Sequence, residues 1–111
     1  LNYIGTLCVE YFIDENDDLY VNEIAPRVHN SGHLTINSYN ISQFENHIRA
    51  VCGLEKIATK KLHNAKMINL IGKEILPYRK KKFSNNEFFF DYFKKEVKTK
   101  RKMGHLTIIK D

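Results

Sequence analysis

Two glutamates 13 residues apart constrain most strongly what this chain can fold into. Glu10 and Glu23 each lie in a run of apolar and β-branched residues that is typical of a buried strand. An ionised carboxylate in such a run needs a partner, because burying an unpaired charge is costly. Residues 14–18, Asp-Glu-Asn-Asp-Asp, separate the two runs and predict an antiparallel hairpin. The hairpin would bring the two carboxylates close together on neighbouring strands.

Two neighbouring carboxylates with no cysteine partner predict a site for a divalent metal ion. Oxygen ligands favour Mg²⁺ or Mn²⁺, and these ions usually complete their coordination with water and phosphate oxygens. A nucleoside triphosphate is therefore the expected third party. The alternative is that one or both glutamates face solvent on an edge strand. Their mirrored positions in one hairpin weaken that alternative.

A short segment rich in hydrogen-bond donors follows the second run. Pro26 fixes the backbone before Arg27, so we expect the chain to leave the sheet there in an extended form. The arginine offers a planar fork for a carboxylate, bicarbonate or phosphate, and His29 and Asn30 can orient the same oxyanion. A zinc site at His29 and His33 would require a helix, whereas the Ser-Gly pair between them indicates a loop. The segment is thus interpreted as an anion site.

Two separated parts of the chain carry a family resemblance. Residues 22–33, Asn-Glu-Ile-Ala-Pro-Arg-Val-His-Asn-Ser-Gly-His, with Ser-Gln-Phe-Glu at 42–45, resemble the end of the ATP-grasp domain in the family of 5-(carboxyamino)imidazole ribonucleotide synthases. Further on, Lys95-Glu96 and Arg-Lys-Met-Gly-His at 101–105 resemble the family's closing pattern. Where the family commonly has Arg-Pro-Gly, residues 98–100 are Lys-Thr-Lys, and a looser turn is expected there.

The resemblance implies a specific reaction. In such enzymes ATP activates bicarbonate as carboxyphosphate. The amino group of 5-aminoimidazole ribonucleotide then captures the carboxyl group, giving N5-carboxyaminoimidazole ribonucleotide, ADP and phosphate in purine biosynthesis. The implied cofactors are ATP and Mg²⁺ or Mn²⁺, the implied partners are the ribonucleotide and bicarbonate, and the implied assembly is a cytoplasmic homodimer.

The resemblance also implies roles for residues at matching positions. Glu10 and Glu23 would bind the metal ion, and Asn22 with Glu23 would line the nucleotide site. The residues that hold bicarbonate and carboxyphosphate, and so count as catalytic, would be Arg27, His29 and Asn30. The residues that bind the ribose phosphate of the substrate would be Arg101 and Lys102.

The expected fold class is α+β. Residues 1–55 would form the C-terminal part of an ATP-grasp domain, with antiparallel strands covered by a helix that Ser42 caps and that ends near Gly53. Residues 56–111 would form a small β-rich lobe, similar to a rudiment hybrid motif, with strands over 65–70, 88–93 and 104–109. A chain of 111 residues cannot hold everything this chemistry requires, so a C-terminal fragment that is inactive alone is expected.

Charge divides the chain sharply and supplies a competing interpretation. Residues 1–55 carry two arginines and eight acidic residues, a net charge of −6, whereas residues 56–111 have a net charge of +11. Basic runs around Phe88, Phe90 and Tyr92 would suit a binder of single-stranded nucleic acid. These three aromatics alternate on one strand face, however, and core packing explains such a face more often. No nucleic-acid partner is therefore expected.

A second ATP-grasp enzyme, formate-dependent glycinamide ribonucleotide transformylase, is the nearest alternative because it shares a Pro-Arg-x-His segment. The sequence Asn-Ser-Gly-His at 30–33 favours the carboxylating enzyme, since the formate enzyme typically has Asp-Thr-Gly there.

Cys8 and Cys52 show no metal-binding spacing and are expected to be two buried, reduced thiols of a cytoplasmic protein. No apolar span of 18 residues indicates a membrane helix.

Overall fold

The computed structural model describes residues 2–110 and divides the chain into two compact units. The first unit contains the residues up to Ile36 together with Asn40–Lys60, and the second contains Asn37–Tyr39 and the residues from Lys61 onward. The elements in chain order are β1 (Cys8–Ile13), β2 (Leu19–Ala25), α1 (Thr35–Ser38), α2 (Gln43–Val51), β3 (Asn64–Ile71), α3 (Ile75–Tyr78), β4 (Glu87–Asp91) and β5 (Lys102–Lys110). This mixture of short helices and antiparallel sheets confirms the α+β class.

Strands β1 and β2 form the predicted antiparallel hairpin. Glu10 lies directly opposite Glu23 in the register. The turn is closed by the carboxylate of Asp14, which accepts hydrogen bonds from the backbone N–H groups of Asn16 at 2.8 Å and Asp18 at 3.0 Å. These bonds to the ionised form hold the pKa of Asp14 below its ordinary value, because they favour the carboxylate.

The hairpin strands are mostly exposed, so the expectation of buried strands is wrong. Phe12 and Val21 are 61% and 58% exposed, and the apolar residues Phe44, Ile48 and Val51 of α2 are exposed as well. A sheet or helix buries its apolar face only against a second layer. The described residues of the first unit supply no such layer for these surfaces.

Helix α2 begins where the sequence predicts. Ser42 is the N-cap, and its hydroxyl accepts a hydrogen bond from the backbone N–H of Glu45 at 3.1 Å. The glutamate does not complete a capping box; its carboxylate accepts a hydrogen bond from Arg49 Nε at 2.9 Å, one turn further on. Cys52, just after the helix, is exposed, and Cys8 is only partly buried, so the expectation of two buried thiols is wrong although both are free.

The second unit contains a three-stranded antiparallel sheet in the order β3-β5-β4. Its strands overlap the three predicted ones, and β4 pairs with β5 as predicted. A side chain at Gly104 would collide with the carbonyl oxygen of Phe90, so the central strand needs glycine there. One hydrophobic cluster contains three buried residues, Leu70, Ile75 and Met103, with four partly buried residues packed on them, Ile68, Tyr78, Phe89 and Val97.

The aromatic residues of β4 pack on both faces of this sheet. Phe89, and not the alternating set predicted from the sequence, contacts the hydrophobic core. On the opposite face Phe90 stacks on His105, with ring centroids 4.8 Å apart, and the Tyr92 hydroxyl lies 2.7 Å from His105 Nδ1. His105 is 1% exposed. The face that carries Phe90 and Tyr92 is therefore packed, as predicted, but its contact is the buried His105 and not the hydrophobic cluster.

Two polar features close the ends of the sheet. Arg79 contacts Asp91 through Nε at 2.6 Å and Nη2 at 3.2 Å, and this pairing is the main reason that the pKa of Asp91 lies below its ordinary value. The expected looser turn at 98–100 is not found. The Arg101 N–H donates to the Lys98 carbonyl at 3.1 Å, with Lys100 in the left-handed region at φ 65°.

No helix among residues 2–110 is long and apolar enough to cross a membrane.

Candidate metal and anion site

A β-bulge assembles the polar residues of the hairpin. The register pairs Glu10 with Glu23 but Tyr11 with Val21, so Asn22 is the extra residue on β2. Neighbouring residues of a regular strand point to opposite faces. The bulge instead lets Asn22 Nδ2 donate to Glu10 Oε2 at 3.0 Å, beside Glu23. The amino-acid sequence does not predict this bulge, because no glycine or proline marks it.

His29 joins the two glutamates. Its Nε2 atom lies 2.9 Å from Glu23 Oε1 and 3.8 Å from Glu10 Oε1, and the candidate ligand atoms of the three residues lie within 4.8 Å of one another. The imidazole is 12% exposed, whereas the carboxylates are 43% and 46% exposed. Like charges directly opposite each other on paired strands repel, so a cation between them would be stabilising. Two carboxylates and an imidazole fit a divalent ion, and their exposure leaves room for further oxygen ligands.

The segment after β2 is a loop, as predicted, but it bends at once. The strand ends at Ala25, and the Arg27 N–H donates to the Ala25 carbonyl at 2.9 Å, so the expected extended exit is wrong. A single 3-10 turn covers Asn30–Gly32, and Ser31 Oγ lies 2.9 Å from His29 Nδ1. This contact fixes the ring so that Nε2 faces the carboxylates. Among residues 2–110 the only candidate metal-ligand group contains His29 and omits His33.

Asn30 is partly buried, whereas Arg27, Arg101 and Lys102 are exposed. In the first unit Arg27 Nη1 donates to the carbonyl of Val28 at 3.1 Å. In the second unit Arg101 and Lys102 are both exposed where β5 begins. Their backbone is held in place, because the Arg101 carbonyl accepts from the Gly72 N–H at 2.8 Å and the Lys102 carbonyl accepts from Lys94 Nζ at 2.7 Å.

Gln43 is a buried polar residue of the site whose role sequence analysis missed. It lies at the start of α2, and its side chain is hydrogen-bonded to the backbone of His29 on both sides, at 2.9 and 2.7 Å. The available signal was its place in the matching segment 42–45. The spacing alone gave no reason to connect it with His29.

Comparison with known proteins covers both units. Residues 1–44 match the model of the ATP-grasp domain, and residues 65–111 match that of the phosphoribosylaminoimidazole carboxylase C-terminal domain. The N5-carboxyaminoimidazole ribonucleotide synthase of Bacillus subtilis (strain 168) is 47% identical over 111 residues, which are 99% of this chain and 29% of the relative.

Solved structures agree with these matches. The N5-carboxyaminoimidazole synthetase of Staphylococcus aureus complexed with ADP has a TM-score of 0.88 at 42% identity, covering 100% of this chain and 30% of that one. The Aspergillus clavatus synthase in complex with ADP and 5-aminoimidazole ribonucleotide has a TM-score of 0.84 at 34% identity, covering 96% and 30%.

The paired glutamates of the hairpin and the donor-rich loop lie within the residues that match the ATP-grasp domain. Together they define this region as part of an ATP-grasp protein. Similarity extends over nearly the whole chain and through both units. Nearly the whole chain is therefore similar to N5-carboxyaminoimidazole ribonucleotide synthases, which confirms the resemblance seen in its sequence. It spans 29% of the length of the curated relative from Bacillus subtilis.

Proposed function

We propose that this chain is the part of an ATP-dependent carbon–nitrogen ligase that holds the metal ion, bicarbonate and the ribose phosphate of 5-aminoimidazole ribonucleotide. The complete enzyme carboxylates that ribonucleotide through carboxyphosphate in purine biosynthesis. The observation that carries the proposal is the convergence of Glu10, Glu23 and His29 on one point of the hairpin. The names of the relatives support the proposed reaction. The two proposed domains of the chain are residues 1–55 and 56–111.

In this proposal Glu10 and Glu23 hold Mg²⁺ or Mn²⁺. The bound ion neutralises charge that develops on the ATP phosphates during phosphoryl transfer. Asn22 orients Glu10 through its 3.0 Å hydrogen bond and lines the nucleotide site together with Glu23. Because both carboxylates are about half exposed, they can share the ion with phosphate oxygens.

Arg27, His29 and Asn30 hold bicarbonate and the carboxyphosphate formed from it. The Arg27 guanidinium can bind the oxyanion through two parallel hydrogen bonds, which a lysine could not do. His29 is held in place, because Ser31 Oγ contacts its Nδ1 and Gln43 bonds to its backbone. Fixed donors of this kind stabilise an oxyanion without reorganisation during the reaction.

Arg101 and Lys102 bind the ribose phosphate of the substrate. Both are exposed, and they lie in the part of the chain that has a net charge of +11. Such a concentration of positive charge attracts anionic ligands. The cytoplasmic location and the homodimer that the resemblance implies are part of the same proposal.

The experiment uses a chimaera, because the chain spans only part of its relatives. Residues 1–111 replace the matching segment of the Bacillus subtilis relative, and ADP release is measured with Mg²⁺ and bicarbonate. We expect 5-aminoimidazole ribonucleotide to stimulate ADP release at least tenfold, and we expect the isolated chain to release none. The control chimaera carries the matching segment of the Staphylococcus aureus relative. Stimulation in the control but not in the test chimaera would contradict the proposal.

A further inference from the structure

The side chain of Gln43 makes three polar contacts with the loop. Gln43 is 8% exposed and occupies the first position of α2. Its Oε1 accepts from the His29 N–H at 2.9 Å, and its Nε2 donates to the His29 carbonyl at 2.7 Å. The same Nε2 lies 2.7 Å from His33 Nδ1. One amide group therefore contacts two histidines of the site.

The backbone of His29 fixes the orientation of this amide. A backbone N–H can only donate and a carbonyl can only accept, so Oε1 must face the N–H and Nε2 must face the carbonyl. The flipped amide would place two donors together at one contact and two acceptors together at the other. Since Nε2 is then a donor towards His33, His33 Nδ1 must be the acceptor. The ring proton of neutral His33 consequently lies on Nε2.

We propose that Gln43 is a positioning residue: it fixes the backbone that presents His29 to Glu10 and Glu23, and it sets the tautomer of His33. The kinetic consequence rests on the function proposed above. The assignment of the His33 tautomer does not rest on that function, because it follows from the contacts of the Gln43 amide alone. Burial strengthens the constraint, since a buried amide that lost these partners would be left without water to replace them.

Close packing supports this assignment. A Cβ atom at Gly32 would lie 2.5 Å from Gln43 Oε1, so a larger residue at position 32 would push the glutamine amide out of its present place. The backbone N–H of Gln43 donates to Thr35 Oγ1 at 2.9 Å, which holds the start of α2 against the same stretch of chain. Gly32→Ala should therefore displace the glutamine and reproduce the effect of its removal.

The first test measures the His33 tautomer in the chimaera by ¹⁵N NMR with labelled histidine, using His33→Gln to assign the signals. We expect the pattern of a ring protonated on Nε2. Gln43→Met should give a mixture of tautomers. Gln43→Glu keeps the size and the acceptor for the His29 N–H but loses the donor to the His29 carbonyl and presents an oxygen to His33, so the proton should move to Nδ1. An Nδ1–H tautomer in the unsubstituted chimaera, or no change in Gln43→Glu, would overturn the proposal.

The second test measures kinetics in the same chimaera. Gln43→Met should lower kcat at least tenfold while KM for ATP changes less than twofold, because the ligands of the nucleotide stay in place. Gly32→Ala should cause a similar loss, and the double variant should be no worse than the worse single variant, because both act through one contact. The control, Glu45→Gln on the exposed face of α2, should stay within twofold. A kcat within twofold for Gln43→Met would overturn the kinetic claim.

The two tests separate this proposal from the proposed function. An unsubstituted chimaera without ribonucleotide-stimulated ADP release would defeat the proposed reaction, yet its NMR spectrum would still test the amide orientation. An active chimaera that Gln43→Met and Gly32→Ala leave unaffected would retain the reaction and remove Gln43 from it. Variants that lose their thermal transition are excluded from the kinetics. The His33 tautomer measured in Gln43→Glu then tests the proposal.

Discussion

The two units are stabilised by different means. In the first unit the contacts that organise the site are polar: the bulge, the contact between His29 and Glu23, and the amide of Gln43. Many of its large apolar side chains are exposed. The second unit buries Leu70 and Met103 in a core of its own. The comparison teaches that substitutions at the polar contacts of the first unit should affect function, and substitutions in the buried core of the second should affect stability.

The largest effect is expected at Glu23. Glu23→Gln removes a charge from the candidate metal site while keeping the shape. Because a bound ion contributes several kcal/mol to transition-state stabilisation, kcat of the chimaera should fall about 100-fold or more. The melting temperature should change little, since the carboxylate is 46% exposed. Glu15→Gln in the hairpin turn is the charge-matched control. Unchanged turnover in Glu23→Gln would remove this residue from the metal site.

Met103 tests the other side of the comparison. It is fully buried, so Met103→Ala should lower the free energy of unfolding by about 2–5 kcal/mol in denaturant titrations. The matched change in the first unit, Val21→Ala, removes a side chain that is 58% exposed and should cost only about 0.5 kcal/mol. Equal losses in the two variants would show that the units do not differ in this way.

The elements were more predictable from the amino-acid sequence than the burial of their faces. Runs of apolar and β-branched residues and the acidic turn located the hairpin, and Ser42 located the start of α2. The burial of these elements was overestimated, because an apolar pattern shows that a face can be covered but not what covers it. The core aromatic was assigned to the wrong face of β4 for a related reason: Phe89 and its neighbours are all phenylalanine, so the pattern does not distinguish the faces.

The candidate site was predictable in its members but not in its geometry. Glu10 and Glu23 followed from charges in apolar runs, and their register confirms that they are adjacent. The bulge at Asn22 and the contacts of Gln43 depend on the three-dimensional path of the loop. Such contacts between residues 14 apart have no local sequence signal.

A smaller effect on function is expected from the basic residues of the second unit. Arg101→Ala combined with Lys102→Ala should raise KM for 5-aminoimidazole ribonucleotide about tenfold or more, because charged hydrogen bonds to a phosphate are lost. KM for ATP should change far less. Lys80→Ala with Lys82→Ala removes the same charge elsewhere in the unit and serves as the control. A matched rise in both KM values would mean that the pair is structural.

The smallest effect is a pH dependence in the second unit. The pKa of Asp91 is held below its ordinary value of 3.8 by Arg79, so the pair stabilises the folded state above that pH. The contribution should disappear as the pH falls below 3.8 towards the lowered pKa, because protonation then favours the unfolded chain. Asp91→Asn should flatten this part of the curve of unfolding free energy against pH. An unchanged slope would show that the Arg79–Asp91 pair does not contribute.

Carbon transfer tests the central claim most directly. The chimaera is supplied with ATP, Mg²⁺, 5-aminoimidazole ribonucleotide and ¹³C-bicarbonate, and the product is followed by ¹³C NMR while ADP is measured. The account predicts a ¹³C carbamate signal that forms in step with ADP. ADP release without that signal, or ¹³C incorporation from formate instead of bicarbonate, would contradict it.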